Sequence, residues 1–388
     1  MTDATPLLEL GGVLLAAATL GSVARRLGLP AIIAYLLVGL AAGPFTPGFV
    51  VGRHELELLA DVGVILLLFE VGIELDIRAL RRDEPPALLI AAPVQVALGV
   101  IIGTAGALAF GMSLSGALTI GLATALSSSV VIVNMSRSRR RTLDDQTGRT
   151  LVVWAVLQDA VSLVAVALLA AMIDPRGGGA GLALARLAAF VALATLGHVL
   201  IVPRLLAAVR AERDTFLIVA VSVALVTAAI GAVVFGVPVA LAAFVAGLAL
   251  GSDAKAQEAR REVTPFRDLF AVLFFVAIGT LVDPAAIAEN WTAFALALGL
   301  VALKSAVSAG LAAAAGLRVH ALQLGVGLGQ IGEFSFVVLG LGVAAGSLSR
   351  GVVSAVLAAA VVSIALSSIA VRLFPKRPSR SEVEAGVS

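Results

Sequence analysis

The sequence predicts an all-α polytopic membrane protein of about thirteen transmembrane helices, with inverted repeats and two crossed, discontinuous helices. Three observations carry this prediction. They are an extreme apolar composition, a one-sided distribution of basic residues, and internal echoes at a constant helix offset.

Of 388 residues, 60% are hydrophobic, 13% are charged and 39 are glycine, and the mean hydropathy is +1.08. A soluble domain carries roughly 25% charge. This chain has too little to cover a water-exposed surface, so a soluble enzyme and a nucleic-acid reader are both excluded. The pI near 9.5 accompanies a formal net charge of only +2 and indicates no affinity for nucleic acid. With no cysteine, disulfides, thiolate nucleophiles and cysteine-ligated metals are excluded. The first apolar run has no basic residue before it. Arg25 and Arg26 follow it, so it reads as a first span rather than a signal peptide.

Backbone groups left unpaired in lipid are costly, so each crossing needs about 20 largely apolar residues in a helix. The runs fall at roughly 6–24, 30–43, 57–76, 86–110, 113–135, 150–173, 180–203, 214–235, 237–252, 266–282, 290–316, 319–346 and 350–374. The second and ninth are short. With the N-terminus outside, 22 of the 27 basic residues become cytoplasmic, as the positive-inside rule requires. Arg53, Arg176, Arg186 and Arg350 stay outside, and Lys304 lies within a span. A miscount by one helix would scramble this segregation. The longest loops are the charged stretches 136–149 and 252–265, and residues 375–388 read as a short disordered cytoplasmic tail.

Residues 117–133, ALTIGLATALSSSVVIV, echo 321–337, ALQLGVGLGQIGEFSFV. Val71-Gly72 through Leu75-Asp76 likewise echoes Ile278-Gly279 through Asp283. Both pairs lie seven helices apart, and an odd offset inserts the two copies with opposite orientation. Each member of the first pair carries helix-breaking chemistry near mid-span. In one it is Thr124, Ser127, Ser128 and Ser129; in the other, Gly325, Gly327, Gly329, Gln330 and Gly332. Hydroxyls and amides satisfy backbone groups freed by unwinding, and glycine tolerates the dihedrals. The plainer alternative is that Ser and Gly only let helices pack closely.

Asp159 is tenth in its run, about 14 Å along the helix and close to the midplane. A charge there costs at least ~2.5–3.5 kcal/mol, so a functional role is the default. Gln158 sits beside it, and Ala155 and Ser162 share its face. A carboxylate among amide and hydroxyl oxygens suits a weakly held monovalent cation. Lys304 is equally central and needs a partner, for which Asp159 is the first candidate and Glu333 the second. Glu333, at the second break, offsets the positive end of a half-helix or binds the ion. Glu70 lies mid-way along the third run, either lining a water-filled funnel or facing a subunit interface. The other conspicuous features read as bland. Arg137–Arg141 anchors the cytoplasmic side, Gly177–Gly179 is a loop, and Trp154 and Trp291 sit near span ends, where aromatic belts lie. His54, His198 and His320 lie on both sides and form no common metal site.

A single carboxylate at the crossing of two broken helices holds a proton or a cation, not both at once. Alternating its exposure exchanges one for the other. This chemistry needs no cofactor and no enzymatic activity. If only Asp159 changes protonation the exchange is electroneutral; if Lys304 also releases a proton it is electrogenic.

LGLPAIIAYLLVGLAAGP at 27–44, VGVILLLFEVGIELD at 62–76, ATALSSSVVIV at 123–133, VLQDAV at 156–161 and GLGQIGEFSFVV at 327–338 are family motifs. On these the chain resembles the monovalent cation:proton antiporter-2 family, and most closely its Kef-type branch. The resemblance implies a sodium/proton antiporter-like fold and antiport of potassium, or sodium, for protons. It implies a core at about 86–173 and 290–374, and a dimerising scaffold at about 6–76 and 214–282. Residues 180–203 would link them, and the core would move against the scaffold like an elevator. It assigns ion and proton binding to Asp159, pairs Lys304 with it, and sets Gln158, Thr124, Ser127 and Glu333 on motif positions around the site; the sequence itself adds Ser128 to the ion-binding candidates and Gln330 and Glu70 to the supporting ones. Sodium-selective relatives tend to have Asn-Asp or Asp-Asp where this chain has Gln158-Asp159, so the analogy favours potassium. Expected partners are a second copy and the lipid bilayer of an inner membrane. Kef-type proteins usually continue into a nucleotide-binding regulatory domain, which is absent here. Two other readings stay open: a potassium-efflux channel, and a sodium-coupled organic-anion symporter of similar fold.

Overall fold

The computed structural model describes residues 5–45, 53–74, 84–137, 143–173, 179–209, 213–251 and 254–374. Among these every regular element is helical. In chain order they are α1 (Thr5–Leu27), α2 (Ala31–Ala42), α3 (Arg53–Glu74), α4 (Pro86–Ala109), α5 (Leu114–Ala125), α6 (Ser129–Arg137) and α7 (Asp145–Ile173). There follow α8 (Gly179–Leu200), α9 (Val202–Ala208), α10 (Arg213–Phe235), α11 (Val239–Leu250) and α12 (Ala254–Gly279). The last are α13 (Pro284–Glu289), α14 (Trp291–Ala314), α15 (Ala321–Leu328), α16 (Phe334–Ala344) and α17 (Arg350–Ala370).

Helix occupies each of the thirteen predicted runs. By length and apolarity, eight stretches among the described residues suffice to cross a membrane, and α2, α11 and α16 are shorter apolar helices. The charge-bearing α3 and α12 are not in that set. Three boundaries differ from the sequence reading. The charged stretch predicted as a loop at 252–265 is helical from Ala254, because its Arg260 and Thr264 face a carboxylate on α3. The run 180–203 breaks at Ile201, one residue before a helix opening on Val202-Pro203. α7 starts five residues before the predicted 150, which carries Trp154 away from the helix end and into the core, fully buried. Trp291 is exposed, as expected of a span end. Leu75, Asp76, the arginines at 139–141 and the tail 375–388 lie outside the described residues.

The chain divides into two compact units. One comprises residues 1–18, 35–79 and 166–281; the other comprises 19–34, 80–165 and 282–388.

In the first unit α3 and α12 cross, flanked by the short helices α11 and α2. Glycine makes each crossing possible. A Cβ on Gly63 would strike the carbonyl of Phe270. One on Gly247 would strike that of Phe69, and one on Gly39 that of Val276. Gly72 faces the Phe244 carbonyl in the same way, as Gly279 faces that of Leu36. Gly72 and Gly279 are the equivalent positions of the second sequence echo, so the short helix of each half packs against the long helix of the other. That exchange of partners is what a two-fold axis between repeats produces, with α3 and α12 packed against each other. Val13, Val38, Leu56, Leu273 and Val276 fill the space beside it.

In the second unit α4 lies against α5, and α14 against α15 and α17. Gly103 and Gly121 bring the α4 and α5 backbones together; a Cβ on Gly103 would lie 2.7 Å from the Gly121 Cα. The two helices that echo each other in sequence are both interrupted. The first stops at Ala125 and resumes at Ser129, with Leu126 extended (φ −90°, ψ 141°). The second stops at Leu328 and resumes at Phe334.

The Gly247 contact yields a direct prediction. Gly247→Leu forces α11 off the α3 backbone and costs about 1–3 kcal/mol or more. The expected result is a clearly lower thermal midpoint by fluorescence-detected size exclusion, whereas Gly12→Leu, whose Cβ meets nothing within 4 Å, leaves it unchanged.

Candidate functional site

The two interruptions meet. Ser127 Oγ donates to the Leu328 carbonyl at 2.6 Å, and the Gly332 amide donates to the Leu126 carbonyl at 3.1 Å. Gln330 Nε2 donates to the Ser128 carbonyl at 3.3 Å. A Cβ on Gly332 would lie 2.5 Å from the Ser127 backbone, so only glycine lets the strands cross this closely. Hydroxyl, amide and backbone groups of each break thus satisfy groups freed in the other. Ser363 Oγ receives the Ile331 amide, and Ser367 Oγ donates to the Val326 carbonyl, which ties the second break to α17.

Four half-helix ends converge at such a crossing, two carrying partial positive charge and two partial negative. The side chains match them. Lys304, 4% exposed, donates from Nζ to the carbonyls of Leu126 (2.9 Å) and Gln330 (2.5 Å), just beyond the C-termini of α5 and α15. Glu333, 3% exposed, caps the N-terminus of α16 by position. Its Oε1 accepts from Ser129 Oγ at 3.1 Å, the first residue of α6. Its carboxylate also lies at the Ser128 hydroxyl and the Val130 amide. The cation therefore sits at two negative ends and the anion at two positive ends. Where an ion pair with Asp159 or Glu333 was expected, the hydrogen bonds of the ammonium among the described residues run to the exposed carbonyls of the breaks.

Asp159 is 2% exposed in α7, and its backbone carbonyl accepts from Ser162 Oγ at 2.8 Å. Its neighbour Gln158 is as deeply buried and donates from Nε2 to Gln95 Oε1. Gln95 Nε2 donates in turn to the Ala125 carbonyl, 3.3 Å away at the end of α5. Two hydrogen bonds thus connect the residue beside Asp159 to the first break. A small cavity in this unit is bordered by Gln95, Gly99, Thr124, Leu300, Lys304 and Val307.

The remaining predicted residues are placed as follows. Thr124 stays helical, its hydroxyl bonded back to Ile120 at 2.8 Å while it lines that cavity. Ser127 and Ser128 lie in the break itself, where Ser128 Oγ accepts from the Val131 amide and caps α6. Gln330 is fully buried and braces the crossing. Gly325 and Gly327 are not in the break; they let α15 pack on Ser305 and Leu151. Glu70 does not join this set. It belongs to the first unit, where its Oε1 meets Arg260 Nε at 3.0 Å and its Oε2 meets Arg267 Nη1 at 2.6 Å. It closes a salt-bridge cluster between α3 and α12. Gln95 escaped the sequence reading. Its signal was a lone amide in an apolar run, spaced by four from Gly99 and Gly103.

A profile of the family described as sodium/hydrogen exchanger, transmembrane, matches residues 13–375. The chain belongs to the sodium/hydrogen exchanger family. Among its relatives is YbaL of Escherichia coli K12, named as a cation/proton antiporter, 33% identical over 98% of this chain and 71% of that protein. The glutathione-regulated potassium-efflux system protein KefC of Klebsiella pneumoniae is 30% identical over 84% of this chain and 53% of its own length. K(+) efflux antiporter 5 of Arabidopsis thaliana is also 30% identical, over 84% of this chain and 59% of its own. These names agree with the Kef-type resemblance of the motifs. The chain spans little more than half of the two potassium-efflux relatives. In fold it matches the sodium proton antiporter MjNhaP1 of Methanocaldococcus jannaschii, with a TM-score of 0.74 over 95% of this chain and 98% of that one, at 15% identity.

Substitutions in each unit test these electrostatics. Lys304→Met takes its donor from the buried Gln330 carbonyl, at about 1–3 kcal/mol, and leaves the Leu126 carbonyl only the Gly332 amide, so it should depress the thermal midpoint. In the first unit, Glu70→Ala should destabilise more than Arg260→Ala. The former removes the buried acceptor shared by both guanidiniums, while the latter leaves Glu70 paired with Arg267. Thermal unfolding in detergent compares the two.

Proposed function

We propose that the chain is a secondary antiporter in which a monovalent cation and protons compete for Asp159. One observation carries this reading. Asp159 is a carboxylate buried within α7 next to the equally buried amide of Gln158, while Lys304 and Glu333 lie at the half-helix ends. The family and the names of the relatives support the same chemistry.

Potassium is the favoured cation, with sodium possible on the same oxygens. The Gln158-Asp159 pair and the potassium-efflux names of two relatives both lean that way. Thr124, Ser127 and Ser128 contribute hydroxyl or carbonyl oxygens to the ion, while Gln330 holds the crossing. The unit bearing the crossing acts as the moving core of an elevator, and the unit built on α3 and α12 as the scaffold of a homodimer. Salt-bridging by Glu70 to Arg260 and Arg267 stiffens that scaffold. The chain lies in an inner membrane with its N-terminus outside and its C-terminus cytoplasmic, the arrangement that collects its basic residues inside. The exchange uses no cofactor.

Proton flux in proteoliposomes with an imposed pH gradient tests the proposal. Potassium should dissipate the gradient, and Asp159→Asn should abolish the response. A response to sodium alone overturns the potassium preference and keeps the mechanism. Normal flux in Asp159→Asn overturns exchange through this carboxylate.

A further inference from the structure

We infer that Gln95 is a positioning residue that sets cation affinity and preference by fixing which end of the Gln158 amide faces the ion. This inference rests on the antiport reading above and extends it to a residue outside the motifs.

The chain of hydrogen bonds has one consistent polarity. A primary amide has a donor end and an acceptor end. The Ala125 carbonyl only accepts, so Gln95 must turn its Nε2 toward it, and the two lie 3.3 Å apart. The Gln95 oxygen then faces Gln158 and accepts from its Nε2. Gln158 is left with its oxygen pointing elsewhere. That oxygen is buried, in a side chain 1% exposed, and has no hydrogen-bond partner among the described residues. A buried carbonyl oxygen without a donor, one residue from a buried carboxylate, is the kind of hard ligand an alkali cation takes. Reversing the amide would present two N–H groups to the ion instead.

The helix packing is built for this reach. Gln95, Gly99 and Gly103 recur at intervals of four and share one face of α4. A Cβ at Gly99 would lie 2.9 Å from the Ala125 Cβ, so its absence brings α4 close enough for Gln95 to meet the end of α5. The cavity bordered by Gln95, Thr124 and Lys304 lies on the same side. Gln95 itself is fully buried.

The test measures apparent cation KM and maximal rate in proteoliposomes for potassium and sodium. Gln95→Met keeps the volume and removes both hydrogen bonds. It should raise the potassium KM by about 10-fold or more, as loss of a partner that orients a ligand does. The potassium-to-sodium preference should narrow, with the maximal rate little changed. Because Gln95 acts through Gln158, the double variant Gln95→Met/Gln158→Met should be no worse than Gln158→Met alone. Gln95→Asn, which keeps an amide but withdraws it by one methylene, should shift KM in the same direction and carries the test if Gln95→Met does not fold. An unchanged KM and preference, or fully additive effects in the double variant, overturn the inference while wild-type antiport and its loss in Asp159→Asn keep the parent reading. Vesicles in which the wild type exchanges no cation overturn both.

Discussion

The second unit depends on the mutual satisfaction of two broken helices. Interrupting a helix inside an apolar environment exposes carbonyls on one side of the gap and amides on the other, and no water is at hand to meet them. Here each gap supplies part of what the other lacks, and two charges supply the rest. One ammonium serves the carbonyls beyond both C-terminal ends, and one carboxylate stands at the N-terminus of α16 and accepts from the serine that opens α6. Both charges would be costly alone at such depth. Both breaks would be costly without them. Serine, glycine and glutamine around them follow from this arrangement, because each either lends a hydrogen bond or leaves room for a close crossing.

That arrangement divides labour among the buried ionisable groups. Lys304 and Glu333 hold the geometry of the half-helix ends, and Asp159 lies buried on the intact α7. A site that must trade a cation for a proton needs a charge whose partner can change, in surroundings that do not. The other unit reaches rigidity by different means. Its backbones approach through glycine, and the buried Glu70 of α3 is clamped by two arginines of α12. Bulk in the glycine contacts would push these helices apart, while loss of the acid would remove the ion pairs that join them.

Much of this was legible in the sequence. Runs of apolar residues located the helices, and the aligned Ser-rich and Gly-rich segments located both breaks, because helix-breaking chemistry at equivalent positions leaves a visible mark. Burial of Asp159, Lys304 and Glu333 followed from charge within apolar runs. What failed was partnership. Sequence pairs opposite charges by sign, and backbone carbonyls have no letter, so the true partners of Lys304 were invisible. The same blindness hid the guanidiniums of Arg260 and Arg267 from Glu70, since a charged segment reads as a loop until a facing carboxylate gives it reason to coil. Gln95 was passed over because one amide in an apolar run resembles many that only pack. The glycines of α3 and α12 were legible as an echo, but their exchange of partners needed three dimensions.

The central claim is that protons leave Asp159 when a cation arrives. Proton release on adding potassium to the purified, weakly buffered protein in detergent, followed with a pH-sensitive dye, tests it without any transport step. The account predicts saturable release in the wild type and none in Asp159→Asn. Release that persists undiminished in Asp159→Asn would place the exchanging proton on another group and contradict the account.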